Sequence, residues 1–383
     1  MKKTIFITLG ILILVLIIGV WAYLFAFGAP KDADDVFARF GRNNASETPL
    51  IDTSRIDTEN VTAGGRIQAL KQLTTRPVAG AGFVDGGIAY VEQGTGHLYE
   101  IDLISGAETL VSGTTIPSTR KAVFSSLGEH VAITMMEGNV SKTLVGTYGS
   151  DAQFSGIALP DNATQVAFGS GTGTIQYLVR ENTGAVGYSS NLDRNSSTRV
   201  FSLPLRDVRV LWGNPVYVYT TPTATQSGYL YRVVKNNLTY VTKGDMGLMA
   251  FRTPQGLVLT SNTESSVITT TLLENAEKVP QALPLIPEKC VTTDTAIYCA
   301  VPKESLNIYS FPDAWYKGVV SYTDALWKID TVSGTATMLI DFIAVSGRSI
   351  DVASIGVNTD GDQVYLINKN DNTLWLFDTT LTE

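Results

Sequence analysis

From residue 65 onward, short runs in which Val, Ile, Thr, Tyr and Phe alternate with polar residues are broken every few positions by Gly, Asn, Asp or Pro. Alternation with a period of two marks a strand with one buried face, and such frequent turn formers leave no room for long elements. No stretch of this body sustains a helical spacing of apolar positions, so the expected class is all-β. One segment stands apart. Residues 5–27 are an apolar run, with no charge between Lys3 and Lys31. As a helix this run spans roughly 34 Å, enough for a hydrocarbon core of about 30 Å. Trp21 and Tyr23 fall near its far end, where amphipathic rings favour the headgroup layer. It is longer than the apolar region of a cleaved signal peptide, usually about 7–15 residues. Residues 1–30 are therefore expected to be a single N-terminal transmembrane anchor, or an uncleaved signal. Residues 31–64 are polar with little sustained periodicity and are expected to form a flexible tether. Residues 65–383 then make the folded body.

Within the body one phrase recurs: Leu, then Tyr or Trp, then a β-type residue two places on, with Asp and a turn usually following. It occurs as GHLYEIDLISG at Tyr99, GYLYRVV at Tyr231, DALWKIDTVSG at Trp327 and NTLWLFDTT at Trp375, at intervals of 132, 96 and 48 residues. These divide into units of 44 to 48, close to the roughly 40–45 residues of one propeller blade. The missing units fall near residues 143, 187 and 279, beside the strand-like texts SKTLVGTYG, GAVGYSSN and SSVITTTLLEN. The count is seven. The last unit stops too soon for its outer strand, whereas residues 67–74 read as an outer strand without a unit. Pairing the two would close the ring and remove an exposed edge. The body thus resembles the broad class of WD-repeat-like and YVTN-type β-propellers. That resemblance rests on LYEIDLISG and LWKIDTVSG, which look like the third strand and turn of such blades. It implies an all-β, seven-bladed propeller behind a transmembrane helix, with loops at two faces available for binding or catalysis.

Charge narrows the partners. Lys and Arg number 28 against 36 Asp and Glu, with no basic run, so nucleic acid is a poor partner. Lys2 and Lys3 flank one end of the apolar run and Lys31, Arg39 and Arg42 the other. A three-residue tail before the span favours a cytoplasmic N-terminus with the propeller outside. The two cysteines bear on that orientation. If Asp294 and Thr295 form a two-residue turn, Cys290 faces Cys299 as a non-hydrogen-bonded pair about 4.5 Å apart at Cα. That is within the range of a disulfide. A metal site would need further ligands, and His97 and His130 lie several units away in sequence. Two buried free thiols are the alternative; a disulfide Cys290–Cys299 is the expectation, and it belongs to an oxidising space.

Candidate chemistry is sparse. Two histidines, no Gly-x-Ser-x-Gly elbow, no His-Glu-x-x-His and no Walker loop yield no catalytic, cofactor-binding or metal residue to nominate. Asn358, Asp360 and Asp362 alternate as in a calcium loop, but Lys369 stands where the closing glutamate belongs. An Asp-Gly hairpin turn accounts for that stretch. The text NIYSFPDAWYKGVVSY reads as an insertion whose Tyr309, Trp315 and Tyr316 are candidate ligand-binding residues, since aromatic rings stack on sugars. Packing into an inter-blade core is the competing role. The favoured function is a membrane-anchored extracytoplasmic interaction scaffold of the cell envelope, with an envelope protein or peptide as partner and no cofactor. The alternatives are a propeller that binds a glycan or small ligand, and a propeller hydrolase or lyase.

Overall fold

In the computed structural model of the protein, residues 69–382 are described, apart from 149–153, 170–172, 193–195, 236 and 274–276. The expected anchor and tether lie outside these residues. Among the described residues no helix is long and apolar enough to cross a membrane.

The described chain is all-β, arranged in antiparallel sheets. Strand β1 (Leu70–Gln72) comes first. The next sheet holds β2 (Val78–Val84), β3 (Gly87–Glu92), β4 (Leu98–Asp102) and β5 (Glu108–Ser112) in order. A second holds β6 (Thr119–Phe124), β7 (His130–Glu137), β8 (Val140–Tyr148) and β9 (Phe154–Ala158), and a third β10 (Ala163–Phe168), β11 (Thr174–Arg180), β12 (Ala185–Asn191) and β13 (Ser196–Leu203). A seven-stranded sheet follows, with β14 (Val208–Leu211), β15 (Tyr217–Thr220), β16 (Ser227–Val234), β17 (Asn237–Thr253), β18 (Gly256–Asn262), β19 (Val267–Leu273) and β20 (Lys278–Gln281). Then come β21 (Cys290–Thr292), β22 (Ala296–Pro302), β23 (Asp324–Asp330) and β24 (Ala336–Asp341). The last sheet is β25 (Val352–Val357), β26 (Gln363–Asn368) and β27 (Leu374–Asp378), completed by β1.

The seven-stranded sheet reads as two four-stranded units sharing β17. The sequence of β17 changes character along its length. Asn237 to Met246 is mostly exposed, as befits an outer strand, and Leu248 to Ala250 is buried, as befits an inner one. The change comes at Gly247, whose φ of +69° is a left-handed conformation that glycine adopts without penalty. A Cβ on Gly244 would collide with the Leu248 side chain, so the chain folds over tightly here and enters the next unit without a loop.

Tyr99, Tyr231, Trp327 and Trp375 all lie on the third strand of a unit, and so do residues 143 and 187. Residue 279 does not: it lies on the fourth strand, β20, and the third strand there is β19. The closure expected from the sequence is present. Leu70 pairs with Phe377, Lys71 with Leu376 and Gln72 with Trp375.

Buried side chains collect between neighbouring units, because each sheet has two faces to cover. Val78, Ile88 and Tyr90 of the first sheet pack with Ile367 and Leu374 of the last, so the ring closes through its core as well as through its hydrogen bonds. Leu70, 1% exposed, joins Leu326, Leu366, Trp375 and Phe377 in the adjoining core. Leu70→Ala is expected to destabilise the body by about 2–5 kcal/mol, the usual range for deleting a buried leucine side chain. A shift in the urea midpoint at unchanged slope would show it; an unchanged midpoint would mean that β1 does not hold the ring shut.

Candidate functional site

The strands β21 and β22 pair as the sequence register predicts, with Cys290 opposite Cys299, Val291 opposite Tyr298 and Thr292 opposite Ile297. The two cysteines form a disulfide with Cα atoms 4.2 Å apart. Cys299 is fully buried and faces Trp327 on β23, so the bridge ties the short first strand of this unit to its second.

The residue before Cys290 belongs to a different structure. Lys289 is fully buried, and its Nζ donates to Asp324 Oδ2 and Asp351 Oδ1, each at 2.5 Å. Both carboxylates are also fully buried. Asp324 Oδ2 accepts the Val352 amide at 2.7 Å, and Asp351 accepts the Trp315 indole N–H at 3.0 Å and the Ser321 hydroxyl at 3.0 Å. A buried ion pair is tolerated when further hydrogen bonds satisfy its charges. Here they come from β25 through Val352 and from one connection through Trp315 and Ser321, while Asp324 Oδ1 has no partner among the described residues. Desolvation pushes the Asp324 carboxyl up to about 6, opposed by the ammonium of Lys289.

This network fixes the aromatic insertion between β22 and β23. Its short helix α1 (Asp313–Tyr316) carries Trp315, which is 3% exposed and has the ammonium groups of Lys289 and Lys369 over its ring. Phe311 and Tyr322 are buried beside Met249 and Ile286. Asn262 donates to the Phe311 carbonyl at 2.6 Å. Of the three aromatic candidates, Trp315 therefore lies in core packing, Tyr309 is 85% exposed, and Tyr316 is half-buried and donates to Glu288 Oε1 at 2.8 Å. The guanidinium of Arg209 lies 5.2 Å from the Tyr316 ring centroid.

Arg209 and Lys121 come from β14 and β6, the innermost strands of units that are not neighbours, and Glu288 precedes β21. Such residues meet only across the axis of the ring. Lys121 is exposed, and its pKa is lowered, first by desolvation and then by Arg209, with Glu288 opposing. Glu288 Oε2 is buried and has no hydrogen-bond partner among the described residues. The channel mouth thus holds two cations, one carboxylate and the phenol of Tyr316. Sequence reasoning missed this group, since no local signal joins positions 121, 209 and 288.

The opposite end of the ring is built from the turns between first and second, and third and fourth, strands. There a hollow of about 580 Å³ lies between Phe83, Val84, Ile104, Leu127 and Val357. Ile104 is 94% exposed and Leu127 63%. Ile104 is held out by a rigid turn, in which Asp102 Oδ1 accepts the amides of Ile104 and Ser105 at 3.0 and 2.6 Å. The turn after β23 repeats this on Asp330, with the amides of Val332 and Ser333 at 3.0 and 2.7 Å, and its Val332 is 89% exposed. His97 contacts Thr115, and His130 packs near Phe168. Among the described residues no three His, Cys, Asp or Glu side chains gather as a metal site. Asn358 accepts the amides of Asp362 and Gln363 within the β25–β26 turn.

No described protein family matches the sequence, and no curated protein does. Solved structures match in fold. An oligogalacturonate lyase from Vibrio parahaemolyticus aligns with a TM-score of 0.55 at 8% identity, over 81% of this chain and 93% of that one. An oligogalacturonate lyase in complex with manganese gives 0.54 at 12% identity, over 81% and 92%. The β-propeller domain of the Trilobed protease from Pyrococcus furiosus gives 0.43 at 9%, over 62% and 75%. The likeness establishes a β-propeller and leaves the chemistry to the chain's own residues.

The buried network sets a pH dependence. The carboxyl of Asp324 is raised above that of an unfolded aspartate, so over roughly pH 4–6 the folded state binds more protons than the unfolded one. This group alone then makes folding less favourable as pH rises through that window. Carbon-detected titration is expected to place Asp324 near pH 6 and Asp102 and Asp330 below the usual carboxylate range, held there by the Ser105 and Ser333 hydrogen bonds. Asp324→Asn should remove the corresponding slope from the stability profile. An Asp324 titration at or below the ordinary range would refute this account.

Proposed function

We propose that this chain is an extracytoplasmic, membrane-held propeller of seven blades that works as a protein-interaction scaffold of the cell envelope. Five four-stranded sheets and one seven-stranded sheet with β17 in common support the blade count. The apolar run of residues 5–27 supports the anchor, with the N-terminus cytoplasmic and the propeller outside. The disulfide supports the compartment, because such bonds persist where the surroundings are oxidising.

The observation that carries the scaffold reading is the aliphatic hollow. Ile104 and Leu127 stand in water on ordered turns beside a concavity floored by Phe83 and Val357. Exposed apolar side chains grouped at a concavity and rimmed by polar residues, here Asp85, Ser126, Asn358 and Asp360, mark a contact site for another protein. The partner is an envelope protein or peptide that offers an apolar segment to the hollow. The oligogalacturonate lyases share only the architecture at this distance, and their activity is not carried over.

Two measurements test this reading. Protein purified from its native host and denatured without reductant is expected to show no reactive thiol; two would place the body in a reducing compartment. Reduction should lower stability by about 3 kcal/mol or less, the chain-entropy contribution of a loop of about ten residues. For the partner, a photo-crosslinker at Val84 of the full-length chain is expected to capture one and the same envelope protein reproducibly. The double variant Ile104→Asp, Leu127→Asp should abolish that capture while stability stays within about 0.5 kcal/mol per exposed substitution. Undiminished capture would sink the hollow as the binding surface.

A further inference from the structure

Between the two units that share β17, the apolar core does not fill the whole wedge. At the end away from Gly247 it gives way to a cleft of about 650 Å³. Leu257 and Leu272 form its apolar floor, and Arg232, Arg252 and Lys278 its charged walls. Among the described lining residues there is no carboxylate, although the protein carries a net charge of −8. None of the three cations forms an ion pair among the described residues. Arg252 is pinned, with Nη2 donating to the Pro215 carbonyl at 2.5 Å and the guanidinium 5.3 Å from the Tyr217 ring centroid. Its Nε is buried and has no hydrogen-bond partner among the described residues. A buried, unsatisfied donor on a cation is costly unless an anion completes it. Lys278 donates to Thr242 across the outer rim at 3.1 Å, and Tyr240, 58% exposed, offers a ring on the same side.

We infer that this cleft binds a sugar acid of one or two rings, with Arg252 and Arg232 receiving its carboxylate. The volume is that of a small-ligand site. A planar guanidinium matches a carboxylate in shape. Tyr240 and the leucine floor suit the C–H face of a pyranose, and the lining hydroxyls of Thr239 and Thr253 suit its hydroxyl groups. A bare phosphate would leave both the aromatic ring and the apolar floor unused. The site lies apart from the channel mouth and the aliphatic hollow, and goes beyond the scaffold reading.

Calorimetry on the full-length chain in detergent, with digalacturonate as the probe, tests the assignment. Digalacturonate should bind and the neutral disaccharide lactose should not. Arg232→Gln, at an exposed position, should weaken binding by about tenfold, the equivalent of one charged hydrogen bond. Arg252→Gln should weaken it at least as much; if that variant folds poorly, Arg232→Gln decides alone. Equal binding of lactose, no binding of digalacturonate, or an affinity unchanged by Arg232→Gln would each overturn the proposal. So would tighter binding of tetraglutamate, which would mark the cleft as a site for acidic peptides, or of inorganic phosphate, which would mark it as a plain anion site.

Discussion

Everything in this body depends on the ring being closed. A four-stranded sheet has two faces, and here each is covered by the sheet beside it, so no unit has a complete core of its own. The contacts of Val78, Ile88 and Tyr90 with Ile367 and Leu374 join sheets at opposite ends of the chain. Without that interface two apolar faces would be left in water. The three residues of β1 matter out of proportion to their number because they cover the last unpaired edge, where an open strand would recruit another chain. A closed ring of this kind presents its irregular surface as turns and hollows at its two ends.

Much of this architecture was legible in the chain. Strand alternation and the Leu-aromatic phrase located the third strands at Tyr99, Tyr231, Trp327 and Trp375, and the short last unit pointed to the latch. Division by equal spacing misplaced residue 279 for a physical reason. The fold at Gly247 removes the loop between two units and shortens one interval, while the insertion between β22 and β23 lengthens the next. The two departures cancel over the 96 residues from Tyr231 to Trp327. A period measured across both sees only their mean. The cysteine register was legible because it depends on a single short turn.

The polar sites were illegible for the opposite reason. Lys289, Asp324 and Asp351 lie far apart in sequence and within strand-like or turn-like text that gives no sign of burial. A lysine in a sequence is read as surface, since an ammonium group leaves water only for charged and hydrogen-bonding partners. Those partners are supplied by the fold. The same applies to the insertion: its aromatic residues look like a display of rings, yet the indole N–H of Trp315 is spent on Asp351. What the network achieves is to fasten a long connection over one mouth of the ring, where Tyr316 meets Glu288 and Arg209.

The fold at Gly247 has a second consequence, at the far end of the same wedge. Because β17 doubles back without a loop, its two halves are drawn together where Leu248 lies against Gly244. They diverge from that point, so Thr239 to Thr242 on one half and Arg252 and Thr253 on the other come to line one cleft. The side chains available to fill such an opening are those beside the distant turns, and turns are where polar and charged residues collect. Hence the floor is leucine, continuous with the core, and the walls are arginine, lysine and threonine. A tight backbone passage at one end of the ring thereby opens a cationic cleft at the other, in a protein whose overall charge is negative.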